Sequence, residues 1–68
     1  SILWIIDFKT AAQAEHESIE QFVQRQKLAH TKQLLFYKEA LSKIYKYEIK
    51  CALYCPNVKK IIEIDSKF

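Results

Sequence analysis

The first residues of the chain form its densest hydrophobic run. Ile2–Ile6 reads I-L-W-I-I with no polar residue, and Asp7, Phe8, Lys9 and Thr10 follow. A strand with one solvated face alternates apolar and polar residues, whereas a strand covered on both faces reads as a continuous apolar run. We therefore predict a strand that is buried on both sides. Because side chains alternate across a strand, Asp7 and Lys9 should emerge side by side from one face, with Cα atoms roughly 6–7 Å apart.

Between Ser18 and Tyr45 the pattern changes to that of a helix. These residues include no Pro or Gly, and apolar side chains recur three or four positions apart. Ser18 with Gln21 three residues later predicts a capping box at the helix start. A single helix over the whole stretch would be about 42 Å long and would overhang strands of about 20–30 Å. We therefore expect a break between Gln24 and Thr31, and a second helix from Thr31 to Tyr45 that packs on the sheet.

The last third of the chain predicts two strands. Residues 46–55, K-Y-E-I-K-C-A-L-Y-C, have a period of two, and Pro56 and Asn57 predict a tight turn after them. Val58–Ile64 then predicts a strand antiparallel to the previous one. The long connection between the first two strands predicts that they are parallel. The expected fold is α/β, β-α-β-β with a mixed sheet packed against one main helix, and Asp65–Phe68 should be either frayed or the entry to an element absent from this sequence.

Length and charge limit the class of protein. The chain has 68 residues, half of them hydrophobic, which is enough for one domain with a small core. Its net charge of +3 permits contact with DNA but does not by itself indicate it, because a phosphate-binding surface is a cluster of basic residues. The sequence contains no secretory leader and no apolar run of about 18 residues. We expect a cytoplasmic protein that does not enter a membrane.

Cys51 and Cys55 lie on the second predicted strand. Their even spacing puts both on one face about 13 Å apart, which is too far for a disulfide. Two cysteines without a secretory segment are typical of a reducing compartment. We expect both to be buried thiols.

The end of the first strand carries residues with chemical potential. A carboxylate such as Asp7 can hold a divalent cation, which activates a bound water, and the Phe8 carbonyl can add a further oxygen ligand. A lysine beside it, Lys9, can orient that water or offset negative charge that develops on a phosphate. The same tripeptide is also typical of a solvated turn with a weak surface ion pair. The three residues alone leave both interpretations open.

A second pair of polar side chains lies on the predicted helix. Gln33 and Tyr37 are four residues apart and therefore project from one face. The amide donates and accepts hydrogen bonds and the phenol adds a hydroxyl, so the pair could hold Lys9 or a DNA phosphate. Alternatively, Tyr37 belongs to the apolar stripe with Leu34 and Leu41, and Gln33 lies at its edge.

Two motifs in this order resemble a known family. The strand ends in D-F-K-T, at Asp7–Thr10, and the helix carries Q-L-L-F-Y, at Gln33–Tyr37. They resemble the D-[FY]-K-T strand and Q-L-x-x-Y helix of the RecB-like exonuclease branch of the PD-(D/E)xK nuclease superfamily. The nuclease domain at the C-terminus of UvrD/Rep-type helicase–nucleases is similar to this arrangement. The resemblance extends over residues 3–64, and two motifs with the right elements between them are moderately specific.

The resemblance implies a restriction-endonuclease-like fold and a parent enzyme that hydrolyses DNA phosphodiesters with magnesium or manganese. It implies that Asp7 and the Phe8 carbonyl ligate the metal, and that Lys9 assists the attacking water. Gln33 and Tyr37 would support the site and the DNA strand. The parent would couple this nuclease to an ATP-dependent helicase in DNA repair and recombination. Its partners would be DNA and the helicase portion, with a second nuclease subunit as a further candidate.

One part of the family pattern is missing from the sequence. The family has a further Asp, in a G-x-x-D pattern on the preceding strand, but no acidic residue precedes Asp7 here. Ser1 leads directly into a hydrophobic strand, so we expect the C-terminal part of one nuclease domain, residues 1–68, with half a site. Such a chain should be inactive by itself. The alternative from another class is a non-catalytic DNA-binding or interaction subdomain in which the Asp-x-Lys pair is vestigial.

Overall fold

The computed structural model describes residues 1–64, which form a three-stranded sheet and one long helix. The elements in chain order are β1 (Ile2–Phe8), α1 (Ile19–Ser42), β2 (Glu48–Cys55) and β3 (Lys60–Ile64). The sheet has the order β1-β2-β3, with β1 parallel and β3 antiparallel to the central strand β2. This confirms the predicted β-α-β-β order and mixed α/β sheet. The predicted frayed end, Asp65–Phe68, lies outside the described residues.

The core lies between α1 and one face of the sheet. The strand register places Leu3, Ile5 and Asp7 of β1 beside Ile49, Cys51 and Leu53 of β2, so these alternate positions share the face toward α1. The buried cluster between the two layers consists of Phe22 and Leu34 from the helix and of Cys51, Leu53, Cys55, Ile62 and Ile64 from the sheet. We call this side of the sheet the covered face.

The prediction that β1 is buried on both sides is wrong. The alternate side chains Ile2, Trp4, Ile6 and Phe8 point away from α1 and are 44–69% exposed. The side chain of Ile61 on β3 shares this side of the sheet and is also exposed. None of the elements in residues 1–64 packs over these five residues, which we call the open face. A continuous apolar run shows that both faces of a strand are hydrophobic, but it does not show that other elements cover both faces.

The predicted break in the helical region is also wrong, since α1 is continuous over 24 residues. The polar run between Gln24 and Thr31 contains Gln26, which is buried on the same side of the helix as Phe22. The inward-facing stripe therefore continues through the run with polar residues in it. No Gly or Pro interrupts the backbone hydrogen bonds. The helix ends at Ser42, before the predicted Tyr45.

The start of α1 agrees with its sequence signal. The Gln21 backbone N–H donates to the Ser18 hydroxyl at 3.1 Å, and the Ser18 N–H donates to the Gln21 side-chain oxygen at 2.9 Å. This reciprocal pair satisfies two helix-end donors that have no backbone partner. The capping box predicted at Ser18 is therefore confirmed.

The β2–β3 connection is a single 3-10 turn over Pro56–Val58. Lys59 follows in the left-handed region at φ 54°, and its N–H donates to the Pro56 carbonyl at 3.1 Å. Because the turn takes up these residues, β3 begins at Lys60 rather than at the predicted Val58, and β2 begins two residues later than predicted. The Asn57 side chain donates to the Thr10 carbonyl at 2.6 Å, so the turn is tied to the residues that follow β1.

Candidate functional site

The structure places Asp7 and Lys9 together on the covered face, as their spacing predicts. The Lys9 Nζ lies 3.1 Å from the Asp7 Oδ2, and the two side chains remain about 30% exposed, at 32% for Asp7 and 28% for Lys9. The Lys9 N–H donates to the Tyr54 carbonyl at 2.9 Å, which continues the parallel pairing with β2 beyond the end of β1. The pair is therefore positioned by the sheet backbone and is still accessible to a ligand.

Gln33 and Tyr37 form the other side of the same cleft. The Gln33 side-chain amide donates to the Tyr37 hydroxyl at 3.2 Å, and both residues are exposed rather than buried in the core. The cleft has a volume of about 280 Å³, and the side chains Asp7, Lys9, Gln33 and Tyr37 all line it. The structure thus brings together the four predicted site residues, with carboxylate, ammonium, amide and phenol groups around one opening.

The Phe8 side chain and carbonyl have different surroundings. The Phe8 ring lies on the open face, where it makes an edge contact with Tyr54 at 5.3 Å between ring centroids. Neighbouring residues of a strand direct their backbone groups to opposite edges. Since the Lys9 N–H points toward β2, the Phe8 carbonyl points to the free edge of β1. That carbonyl is therefore available as an oxygen donor close to Asp7.

These donors could supply part of a metal shell. Magnesium is usually held by one or two carboxylates together with waters and substrate phosphates. Asp7 and the Phe8 carbonyl fit this donor chemistry, but they are two ligands of the usual six. Within residues 1–64 no three His, Cys, Asp or Glu side chains come together in a group that could hold a metal. The described residues therefore offer two oxygen ligands for a metal, and water, substrate or other groups would have to supply the rest.

His30 lies near this site and was missed by the sequence reasoning. Burial lowers the pKa of His30, and the positive charge of Lys9 lowers it further, while the Asp7 carboxylate has the opposite effect. His30 precedes Gln33 by three residues and Tyr37 by seven, so the three project from the same side of α1. That spacing was visible in the sequence and could have identified it. At neutral pH it is a neutral imidazole beside a cation.

The two cysteines are free and buried on the covered face, as predicted. Burial raises the pKa of the Cys55 thiol, and the Asp7 carboxylate raises it further. Burial also raises the pKa of Cys51, whose thiol donates to the Leu34 carbonyl at 3.7 Å. Both therefore stay protonated at neutral pH. They act as apolar packing between sheet and helix, and do not resemble reactive or metal-binding cysteines.

The linker between β1 and α1 is held against the helix by one arginine. Arg25 donates to both Glu17 carboxylate oxygens, at 2.8 and 3.0 Å, and to the Ala12 carbonyl at 3.1 Å. The Arg25 guanidinium lowers the pKa of Glu17. These contacts tie Ala12 and Glu17 of the linker to α1.

Comparisons with known proteins add no relative to this geometry. No family model matches the chain, and no curated protein or solved structure is significantly similar to it. None of the helices in residues 1–64 is long and apolar enough to cross a membrane. Any functional conclusion therefore depends on the residues of the site and on the two sequence motifs.

Proposed function

We propose that this chain carries the Asp-x-Lys half of a metal-dependent DNA nuclease site. The observation that supports this most strongly is the shared cleft: the Asp7–Lys9 pair at the end of a strand faces the Gln33–Tyr37 pair on a helix. These are the two motifs that resemble the RecB-like nucleases, and they lie 24 residues or more apart in sequence. A solvated turn with a chance ion pair would not need the helix pair beside it.

Each residue of the cleft has a role in this proposal. Asp7 and the Phe8 carbonyl would hold magnesium or manganese, which supplies a Lewis acid that lowers the pKa of a bound water. Lys9 would give up its ion pair with Asp7 to orient that water and to offset charge on the phosphate. The Gln33 amide and Tyr37 hydroxyl would fix the lysine and the DNA backbone through hydrogen bonds.

The wider assignment belongs to the same proposal. The β-α-β-β order with a parallel first pair is compatible with a restriction-endonuclease-like fold, of which this chain would be the C-terminal part. The parent would be an ATP-dependent helicase–nuclease that processes DNA in repair or recombination in the cytoplasm. The second carboxylate that the resemblance implies is not in this sequence, so the chain alone should bind metal weakly and should not cut DNA.

Paramagnetic broadening by Mn²⁺ tests the metal half of the proposal residue by residue. Amide NMR signals around Asp7–Lys9 should broaden first during a titration, at millimolar rather than micromolar Mn²⁺. Asp7→Asn should abolish that local effect, whereas Glu63→Gln, which removes an exposed carboxylate from β3, should leave it unchanged. Broadening centred elsewhere, or equal in Asp7→Asn, would contradict the proposed site. Cleavage of linear DNA by the isolated chain with Mg²⁺ would contradict the half-site argument.

The second candidate function is a non-catalytic DNA-binding or interaction module. It is favoured by one observation, namely that no complete group of metal ligands forms within the described part of the chain. This module would bind DNA equally well with and without divalent metal, and Asp7→Asn would have no effect on binding or on Mn²⁺ broadening. The titration therefore separates the two candidates without an activity assay.

A further inference from the structure

A second groove adjoins the candidate site on the outer side of α1. It has a volume of about 580 Å³ and is lined by Ala29, Lys32, Gln33, Phe36 and Tyr37. Gln33 and Tyr37 also line the cleft that holds Asp7 and Lys9, so this hydrogen-bonded pair forms the wall between the two openings. A ligand bound in the groove would therefore be separated from Asp7 and Lys9 by this pair.

The groove combines an exposed aromatic ring with a cation. Phe36 is 67% exposed, although a ring of this size usually contributes to a core, and it contacts Tyr37 in an edge arrangement at 6.2 Å. Lys32 is exposed and four residues before Phe36, so the two side chains are neighbours on the helix surface. Gln33 adds a polar amide to the lining. An aromatic platform next to a basic residue is the combination that binds single-stranded nucleic acid, through base stacking and phosphate contact.

We propose that this groove binds one unpaired nucleotide of a DNA strand, with its base stacked on Phe36 and its phosphate at Lys32. The inference rests on the proposed nuclease function and extends it to the substrate class: the strand enters single-stranded and passes over Gln33 and Tyr37 to Asp7 and Lys9. In a duplex the bases stack on one another and are not accessible to a side chain of this kind. The groove therefore selects single-stranded over double-stranded DNA.

Fluorescence anisotropy with a labelled oligothymidine and with a duplex of the same length tests this. The full chain is used with EDTA, so neither metal binding nor cleavage contributes. The single strand should bind more tightly, and Phe36→Ala should weaken its binding by about fivefold or more while changing duplex binding little. Leu28→Ala is the matched control, because Leu28 is an equally exposed apolar residue of α1 outside this groove. Circular dichroism verifies that both variants remain folded.

The phosphate contact has its own readout. Lys32→Gln should lower the dependence of log affinity on log salt by about one unit, whereas Lys43→Gln, at the end of the same helix, should not. Equal single-strand affinities for Phe36→Ala and Leu28→Ala would overturn the proposal that this groove binds a nucleotide. So would an equal loss of affinity for duplex and single strand in Phe36→Ala. Because the assay contains EDTA, its result does not depend on metal binding at Asp7. Nucleotide binding in the groove can therefore be observed even when Mn²⁺ does not bind at Asp7, and failure of the groove proposal is distinguishable from failure of the metal-site proposal.

Discussion

The two faces of the sheet share the same strands but differ in what covers them. The covered face is apolar and buried under α1, with Leu53 fully enclosed, whereas the open face exposes side chains of similar size and hydrophobicity such as Ile6 and Phe8. Both sides of β1 carry large apolar side chains, and packing under α1 distinguishes them, together with Asp7 and Lys9 at the end of the covered face. The stability of this chain therefore comes from the covered face. Matched substitutions on the two faces should have contrasting effects on stability and on side-chain reactivity.

The largest contrast should be in stability. Leu53→Ala removes a completely buried side chain from the covered face, and we expect it to lower the free energy of unfolding by about 3 kcal/mol. Ile61→Ala on the open face removes a residue that is 72% exposed, and should change it by less than about 0.5 kcal/mol. Urea denaturation followed by circular dichroism measures both. A large loss in Ile61→Ala would mean that the open face is covered in solution.

Thiol reactivity gives a second contrast. Cys51 and Cys55 are buried on the covered face and burial raises the pKa of each thiol, so a thiol reagent should modify them only when the chain opens. A cysteine introduced on the open face by Ile61→Cys should react about 100-fold faster or more, given about 3–5 kcal/mol of stability for a chain this small. Mass spectrometry of alkylated peptides over time separates the sites. Equal rates would contradict the covered core.

The sequence predicted the elements better than their surroundings. The continuous apolar run located β1, the periods of two and of three to four located β2 and α1, and the Ser18–Gln21 box located the helix start. All of these are local signals. The continuity of α1 was missed since Gln26 places a polar side chain at a buried position. The open face was missed because a strand does not specify how many layers pack on it.

The candidate site was also predicted only in part. Strand alternation alone predicted that Asp7 and Lys9 would lie together, and helix spacing predicted the Gln33–Tyr37 pair. That the two pairs face one cleft depends on how α1 packs on the sheet, which the resemblance implied but spacing did not. The groove at Phe36 was not predicted, because Phe36 lies outside the apolar stripe and its exposure follows only from how α1 packs.

A buried hydroxyl on the covered side offers a stabilising substitution. The Thr31 hydroxyl and the Gln26 side-chain oxygen are buried without a hydrogen-bond partner among residues 1–64. Thr31→Val keeps the shape and removes the unpaired polar group, so we expect a gain of about 1 kcal/mol. Thr31→Ser, which keeps the hydroxyl and loses a methyl group, should destabilise instead. If Thr31→Val also lowers the free energy of unfolding, the Thr31 hydroxyl has a hydrogen-bond partner in solution.

The open face should cause weak self-association. Its five large apolar side chains are each at least 44% exposed, but five residues are few beside the about 20–30 per partner of a standard interface. A second copy of the chain would cover it only at high concentration. Phe8→Lys should abolish the concentration dependence of the apparent mass in light scattering, and Leu28→Lys on the outer side of α1 should not. If Leu28→Lys alone restores the monomer, association uses the helix rather than the sheet.

The smallest expected effect concerns the titration of His30, whose pKa responds to burial and to the positive charge of Lys9. Its pKa is lowered from the ordinary value of 6.5, mainly by burial and then by the Lys9 charge. The folded chain thus binds this proton less readily than the unfolded chain. The contribution of His30 to the free energy of unfolding is therefore fully present above pH 6.5 and declines as the pH falls toward the lowered pKa. Lys9→Met should raise the pKa of His30 in an NMR titration, whereas Lys43→Met should not. An unchanged His30 titration in Lys9→Met would show that the imidazole and the ammonium are not close, and would separate His30 from the candidate site.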